Sequence, residues 1–376
     1  MPLPSSDLLA ARHRQLREAL VTRGLEALVV TALPNIRYLT NHAGSAGVLV
    51  ATASTMTLIV DGRYSESVRA RQGTPEACPD LQVRPVPNSY DEATLDALTE
   101  LGIARPGFES AHVSVARHGW WTRTAQARGL TVDFVPVEGV VEGLRVVKDA
   151  SEIAILREAA RRLTPVAGAV LRALRPGVAE REVAAVIESE LRAAGYERPS
   201  FEPIVASGPN AALPHYRAGD RILASGDAVV LDFGGVLDGY CSDLTRTVVI
   251  GDPSEEFVRV YGAVLDAQQA AIRAIRPGVE STTVDAAARD LLTENGLGEA
   301  FSHSTGHGLG LEIHEDPRLA RAGGQPPTVL RPGMVVTVEP GAYLPGWGGV
   351  RIEDDVLVTE QGYEVLTSVP RHLMVV

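Results

Sequence analysis

The chain has 376 residues, a length that predicts two domains. Its hydrophobic fraction of 45% and charged fraction of 22% are those of a globular protein and exclude a disordered chain. The formal net charge of -12 argues against nucleic acid as a partner, because phosphate binding depends on clustered lysine and arginine.

The start of the chain lacks the basic and then apolar layout of a signal peptide, and its leucines instead predict an amphipathic helix. No apolar run reaches the roughly 18 residues of a membrane span. The two cysteines, Cys78 and Cys241, have no metal-ligand spacing, so we expect both to be buried as small apolar side chains. These features predict a cytoplasmic protein that does not associate with membranes.

Strand-like and helix-like segments alternate along residues 1–145, as they do in an α/β domain. The strand-like segments are LEALVV, GVLVAT, TMTLIV and LQVRPV, and the helix-like ones after the first helix are SESVRARQ and SYDEATLDALTELG. From Ala150 a new 3.6-residue apolar period begins, with Ile153, Leu156 and Ala160 on one side. We therefore predict an N-terminal α/β domain over residues 1–145 and a second domain over residues 146–376.

The second domain contains an internal duplication. Residues 171–196 and 272–297 each contain a helix end, an Arg-Pro-Gly-Val break, a second helix and a terminating glycine. Further on, the apolar strand that leads to Asp232 matches the one that leads to Glu339. We expect two helix–helix–hairpin units related by a pseudo-two-fold axis.

Each predicted hairpin carries two acids, Asp232 with Asp243 and Glu339 with Glu353. Side chains on paired strands approach to about 5 Å, so each hairpin is expected to bring its two acids together. Four carboxylates embedded in apolar strands are costly to ionise unless cations neutralise them. Two divalent ions would balance the four negative charges, and oxygen ligands with one imidazole suit manganese or cobalt well and zinc acceptably.

Three histidines, His303, His307 and His314, lie in one glycine-rich segment of the duplicated unit, and His215 lies at a place comparable to His314. We expect His307 to complete the metal site, and the alternating glycines to let the backbone approach a ligand. Arg351 lies beside the acid at 353 in the sequence, which favours a role in orienting the acids.

These residues resemble the successive motifs of the creatinase/methionine-aminopeptidase superfamily, and most closely those of Xaa-Pro aminopeptidases and Xaa-Pro dipeptidases (prolidases). The motifs are LDFGG, SDLTRT, STGHGLGLEIHEDP, VEPGAY and GGVRIED in the second domain, with NIRYLT, GSAG, DGRY and GFE in the first. The resemblance implies a creatinase-type N-terminal α/β domain, a pita-bread catalytic domain and a homodimer. Methionine aminopeptidases generally lack such an N-terminal domain, and creatinases lack the full ligand set.

The resemblance also implies roles for individual residues. One metal would be held by Asp232, the other by His307 and Glu339, and both by the bridging acids Asp243 and Glu353. Glu339 would act as general base toward the attacking water, and the remaining contacts to substrate and oxyanion would come from His215, His303 and His314. We expect Tyr343 or Trp347 to form an apolar wall for the proline ring.

Two questions stay open at this stage. The enzyme is expected either to trim longer peptides with proline at the second position or to accept only Xaa-Pro dipeptides, with Arg37, Arg63 and the loop 41–45 as candidates for capturing a terminal carboxylate. A different class of function is a catalytically inactive pita-bread protein that acts as a binding module. Such a protein would be expected to lose metal ligands, and this sequence retains all five.

Overall fold

The computed structural model describes residues 3–323 and 326–376 and separates the chain into two units, residues 1–145 and 146–376. The first unit has the predicted α/β pattern. Its helices are Ser6–Thr22 (α1), Leu33–Thr40 (α2), Gly62–Arg71 (α3), Tyr90–Glu100 (α4), Val115–Ala127 (α5) and Val140–Arg145 (α6). Its strands are Ala27–Val30 (β1), Val48–Thr52 (β2), Met56–Val60 (β3), Leu81–Pro85 (β4), Pro106–Glu109 (β5) and Val135–Val137 (β6).

These six strands form one mixed sheet in the order β4-β3-β2-β1-β5-β6. Antiparallel pairing joins β1, β2 and β3, whereas β4, β5 and β6 each pair in parallel with a neighbour. The carboxylate of Glu109 at the end of β5 accepts hydrogen bonds from the backbone N–H groups of Thr31 and Ala32, at 2.6 and 2.8 Å. It thereby satisfies free donors at the start of α2.

The second unit contains two helix pairs and two larger sheets. Its helices are Ala150–Ala173 (α7), Glu180–Ala193 (α8), Glu255–Ala274 (α9) and Ser281–Glu294 (α10), with 3-10 turns at Gly208–Ala212 and Gly298–Ala300. Its strands are Arg198–Pro199 (β7), Ile204–Ser207 (β8), Ala228–Asp232 (β9), Gly235–Leu237 (β10), Tyr240–Cys241 (β11), Thr245–Val249 (β12), Gly306–Gly308 (β13), Glu315–Leu319 (β14), Val335–Val338 (β15), Gly341–Leu344 (β16), Gly348–Arg351 (β17), Asp354–Thr359 (β18), Gly362–Val365 (β19) and Met374–Val375 (β20).

The predicted duplication is visible in how these elements pack. Helices α7 and α8 share an apolar core with β8, β9 and β12, and α9 and α10 share a second one with β15 and β18. The strand orders are β20-β12-β9-β8 in one sheet and β14-β13-β15-β18-β19 in the other. Each helix pair is joined through an Arg-Pro-Gly break whose glycine, Gly177 or Gly278, has a positive φ of 93° or 84°.

The paired strands differ in one respect from simple hairpins. A small hairpin, β10–β11, lies between β9 and β12, and a second one, β16–β17, lies between β15 and β18. The four predicted acids are therefore found at or just beyond strand ends, not opposite one another along two arms. Asp232, the last residue of β9, pairs in register with Thr245 of β12.

Both cysteines are buried free thiols, as expected. Burial raises the pKa of the Cys78 thiol and of the Cys241 thiol to about 12, so both behave as inert apolar groups. Among the helices that the structure describes, none combines the length and apolar character that a bilayer crossing requires.

Candidate metal centre

The two sheets of the second unit bring the predicted acids to one place because their strand ends converge. One cavity of about 360 Å³ is lined by every predicted site residue: Asp232, Asp243, His307, Glu339, Glu353, His215, His303, His314 and Arg351. His215 and His314, from comparable positions of the two repeats, are both exposed at this cavity.

Three acids of this cavity, Asp232, Asp243 and Glu353, are buried, and two of them are incompletely hydrogen-bonded. Asp243 and Glu353 are 5% and 1% exposed. Burial, followed by the charges of neighbouring acids, raises the pKa of both carboxyl groups well above the usual range. Asp232 Oδ1 and Glu353 Oε1 are buried and have no hydrogen-bond partner. Such orphaned oxygens point to a cation as their missing partner, because an unpaired buried carboxylate oxygen is costly.

His307 is held in the tautomer that a metal ligand needs. Its Nδ1 lies 2.9 Å from the carbonyl oxygen of Gly308, so Nδ1 carries the proton and donates it. Burial lowers the pKa of His307 to about 4, which keeps the ring neutral near pH 7. The lone pair of Nε2 consequently faces the acids, 3.4 Å from Oε1 of Glu339 and 3.9 Å from Oδ2 of Asp243. Nε2 and the carboxylate oxygens are all hydrogen-bond acceptors, so a cation between them would stabilise this arrangement.

The donor set fits a divalent metal. Ligand atoms of Asp243, His307 and Glu353 lie within 4.8 Å of one another, and all three residues are buried. Glu339 adjoins this cluster through its contact with His307, and Asp232, which has one unpartnered oxygen, lines the same cavity. Carboxylates and a neutral imidazole are suitable ligands for divalent metal ions.

Arg351 fixes the orientation of Asp232 and does not bond to Glu353. Its guanidinium donates to Oδ2 of Asp232 at 2.6 Å, to Oγ1 of Thr245 at 3.2 Å and to the hydroxyl of Tyr343 at 2.7 Å. The Thr245 hydroxyl in turn donates to Oε2 of Glu353 at 2.6 Å. The arginine therefore reaches both acids, one directly and one through a threonine.

Tyr343 is part of a polar chain and is not the apolar wall that we expected. Its hydroxyl lies 2.8 Å from Nε2 of His303, whose Nδ1 lies 2.8 Å from the carbonyl oxygen of Ser304. The tyrosine thus donates to His303 while accepting from Arg351. Trp347 also fails as the wall, because it packs against Phe257 in the apolar core.

The apolar lining comes instead from residues that the sequence did not single out: Phe201, Ile204, Pro214 and Ile313. Arg318 is a further unpredicted residue at the cavity, and its charge helps to lower the pKa of His314, after burial. No motif spacing marks these residues, since they enter the cavity from strands, loops and turns that only the fold brings together.

The glycines on either side of His307 serve strand packing. A Cβ added at Gly306 would overlap the carbonyl oxygen of Thr337, and one added at Gly308 would overlap that of Asp316. These glycines allow β13 to lie close to its two neighbouring strands. Close strand packing is thus one reason for glycine at these positions, and the expected approach of the backbone to a ligand stays a prediction.

The candidates for capturing a terminal carboxylate have partners within the first unit. Arg63 donates to both oxygens of Asp61, at 3.0 and 2.7 Å. The amide of Asn41, in the loop 41–45, donates to the carbonyl oxygens of Pro4 and Glu76.

A duplicated helix–sheet unit that buries acids and a neutral imidazole around one cavity defines a divalent-metal protein. The chain belongs to metallopeptidase family M24, whose family model matches residues 154–360, and the creatinase/prolidase N-terminal domain model matches residues 12–147. Membership confirms the resemblance that the motifs carried, together with the two-domain fold, and implies bound divalent metal ions.

Individual relatives cover nearly the whole chain. An Xaa-Pro dipeptidase of Pyrococcus horikoshii is 34% identical over 98% of this chain and 100% of its own. The structure of an Xaa-Pro dipeptidase from Bacillus anthracis is 39% identical with a TM-score of 0.91, covering 98% of this chain and 100% of that one. The structure of an X-Pro aminopeptidase from Thermotoga maritima is 35% identical with a TM-score of 0.86, covering 97% and 100%.

Proposed function

We propose that this protein is a metallopeptidase that hydrolyses the peptide bond before a proline and releases the N-terminal residue of Xaa-Pro peptides. The observation that carries the proposal is the arrangement of a neutral His307 facing buried acids inside one cavity. Relatives that match this chain from end to end are an Xaa-Pro dipeptidase and an X-Pro aminopeptidase, which supports this substrate class.

The proposed metal site holds two divalent ions, with manganese as the first choice and cobalt or zinc as alternatives. Its ligands are Asp232, Asp243, His307, Glu339 and Glu353. The four acids carry four negative charges when ionised, which two divalent ions balance. When bound, such ions supply Lewis acidity and make a water molecule a better nucleophile near neutral pH.

Glu339 is the proposed general base. In the metal-free protein, burial is the main cause that raises the pKa of its carboxyl group to about 7, and the charge of Arg351 opposes that rise. A carboxylate placed beside the attacking water can accept a proton from it and later return that proton. Glu339 would take a proton from the attacking water and pass it to the leaving proline nitrogen.

The exposed histidines face the place where a substrate would lie. His314 would stabilise the oxyanion, with its ring centroid 4.4 Å from that of His307. His215 and His303 would contact the peptide around the scissile bond, and the proline ring would pack against apolar lining such as Phe201 and Ile313. The acids would attract the free amino group of the substrate.

The assembly and location that we propose, on the basis of the family resemblance, are a homodimer in the cytoplasm. The alternative of an inactive binding module is disfavoured, because all five proposed ligands line the same cavity. Measurement of sedimentation velocity would test the dimer.

The test of function compares the wild type with Glu339→Gln after loading with manganese. We expect the wild type to cleave an Xaa-Pro dipeptide and not the matching Xaa-Ala dipeptide, and Glu339→Gln to lose at least about 100-fold in kcat. Glu360→Gln, at an exposed acid, is the matched control. Full activity of Glu339→Gln would remove that residue as the base, and an inactive wild type with bound manganese would revive the binding module.

The same assay separates the two peptidase types. Rates are compared on an Xaa-Pro dipeptide and on the same peptide extended by two residues. A preference for the dipeptide defines a dipeptidase, and a preference for the longer peptide defines an aminopeptidase.

A further inference from the structure

Thr305 connects a helix of the second repeat to the proposed general base. Its backbone carbonyl accepts a hydrogen bond from the N–H of Glu339 at 2.8 Å. Its own N–H and hydroxyl both donate to Oδ1 of Asp285 on α10, at 3.1 and 2.9 Å. Thr305 is fully buried and Asp285 is 1% exposed. The backbone of Glu339 is therefore tied to α10 through two consecutive contacts.

Arg289, one helical turn after Asp285 on α10, completes this anchor. Its guanidinium donates to both oxygens of Asp285, at 2.8 and 2.9 Å, and to the carbonyl oxygen of His303 at 2.8 Å. The pair is almost fully shielded, with side chains 11% and 2% exposed. A bidentate pair of this kind has one well-defined geometry, so it fixes the position of the segment that leads into β13.

The first repeat contains a similar contact at a position that is not equivalent. On α8, Oε1 of Glu180 accepts hydrogen bonds from the N–H and the hydroxyl of Ser207, at 2.8 and 2.6 Å. A buried acid on the second helix of each repeat thus holds a hydroxyl residue, but Ser207 pairs with Val229 and only Thr305 bonds to the backbone of a predicted metal ligand.

We infer that Asp285, acting through Thr305, is a positioning residue for Glu339 in the reaction. The inference rests on the proposed function, because it concerns the base assigned there. Thr305 holds the backbone of Glu339. The hydroxyl of Thr337 donates to Oε1 of Glu339 at 3.3 Å and accepts from the backbone N–H of His307 at 3.1 Å. Thr337 therefore contacts both the base and His307, and Thr305 contacts the backbone of the base.

The experiment measures kcat and KM of Thr305→Val and Thr305→Ser at saturating manganese, with metal content verified for each protein. Valine keeps the shape and the backbone N–H but loses the hydroxyl bond to Asp285, whereas serine keeps that bond. We expect Thr305→Val to lose about tenfold in kcat with KM changed less than about twofold, because small displacements of reacting groups are costly. Thr305→Ser should recover most of the rate.

Thr94→Val is the matched control. It removes another buried hydroxyl, bonded at 2.7 Å to the carbonyl oxygen of Tyr90 in the first unit, and should leave kcat unchanged. Asp285→Asn and the double variant with Thr305→Val complete a cycle. If both residues act along one path, the double variant should lose no more in kcat than the more damaging single change.

Wild-type kcat in Thr305→Val, a failure of serine to restore the rate, or fully multiplicative losses in the double variant would each overturn the inference. These outcomes differ from a failure of the proposed function, which would appear as an inactive wild type. In that case the positioning role falls as well.

Discussion

The guanidinium of Arg351 lies 2.6 Å from Oδ2 of Asp232, while the other carboxylate oxygen of Asp232 is buried and has no partner. One oxygen is thus held by a fixed positive charge, and the second has no hydrogen-bond donor. Arg351 is 3% exposed, so water does not screen this pair. Arg351 therefore orients the carboxylate of Asp232 and leaves its second oxygen available to a metal ion.

We expect Arg351→Lys to weaken manganese binding by about 10- to 100-fold, as changes behind metal ligands commonly do. A lysine cannot reach Asp232, Thr245 and Tyr343 at once, because it lacks the planar fork of arginine. Titration calorimetry would measure the affinity. Arg157→Lys, in an exposed pair with Glu364, is the control that should keep it. Equal affinities for wild type and Arg351→Lys would contradict this role.

Replacement of Asp243 by asparagine should affect the free energy of unfolding in opposite directions with and without metal. Burial, and then the charges of Glu353 and Asp232, raise the pKa of Asp243 well above its usual range. In metal-free protein the folded state therefore keeps a proton that the unfolded state releases above pH about 4. The free energy of unfolding should fall as the pH rises from about 5 to 8, and it should fall less in Asp243→Asn.

With manganese present, the wild type should be stabilised more than Asp243→Asn. The wild type gains about 2.7 kcal/mol when the metal concentration is about 100 times Kd, and Asp243→Asn gains less because it binds more weakly. Urea unfolding at both pH values, in chelator and in manganese, would measure both effects. Asp252→Asn, at an exposed acid, should follow the wild type throughout. The prediction is wrong if manganese stabilises Asp243→Asn as much as the wild type.

Substitution at Gly306 tests the packing of the strand that carries His307. An alanine Cβ there would overlap the Thr337 carbonyl oxygen, so we expect Gly306→Ala to lower the free energy of unfolding by about 1–3 kcal/mol. In contrast, Gly262 lies inside α9 with no atom within 4 Å of an added Cβ. Gly262→Ala should stabilise the protein by about 0.5–1 kcal/mol. Thermal and urea unfolding would show whether the two changes have these opposite signs.

The fold and the main site residues were accessible to sequence reasoning for a specific reason. The Arg-Pro-Gly breaks and the matched acids repeat at similar offsets, so each half supports the interpretation of the other. Asp232 and Glu339 were found because an acid that ends a buried apolar strand is unusual. By comparison, the role of Tyr343 was misassigned, because the partners of a tyrosine hydroxyl are known only when distant strands are in place.

Other residues had no sequence signal that could have found them. Asp285 lies on an ordinary amphipathic helix, and Arg318 lies in a strand at the edge of a sheet. Their contacts join segments that the chain brings together only on folding. Propensity and periodicity describe neighbours along the chain, and so they cannot report such contacts.

By itself, the sequence determined that two related units exist, that each presents acids at the ends of apolar strands, and that their combined charge requires cations. Those properties follow from local patterning and from counting charges. The tertiary structure alone decided which nitrogen of His307 faces the acids, which oxygen of Asp232 is held by Arg351, and which side chains line the cavity. Each of these depends on a hydrogen bond or a close contact between residues far apart in the chain or on a specific backbone geometry, which only the packed fold establishes.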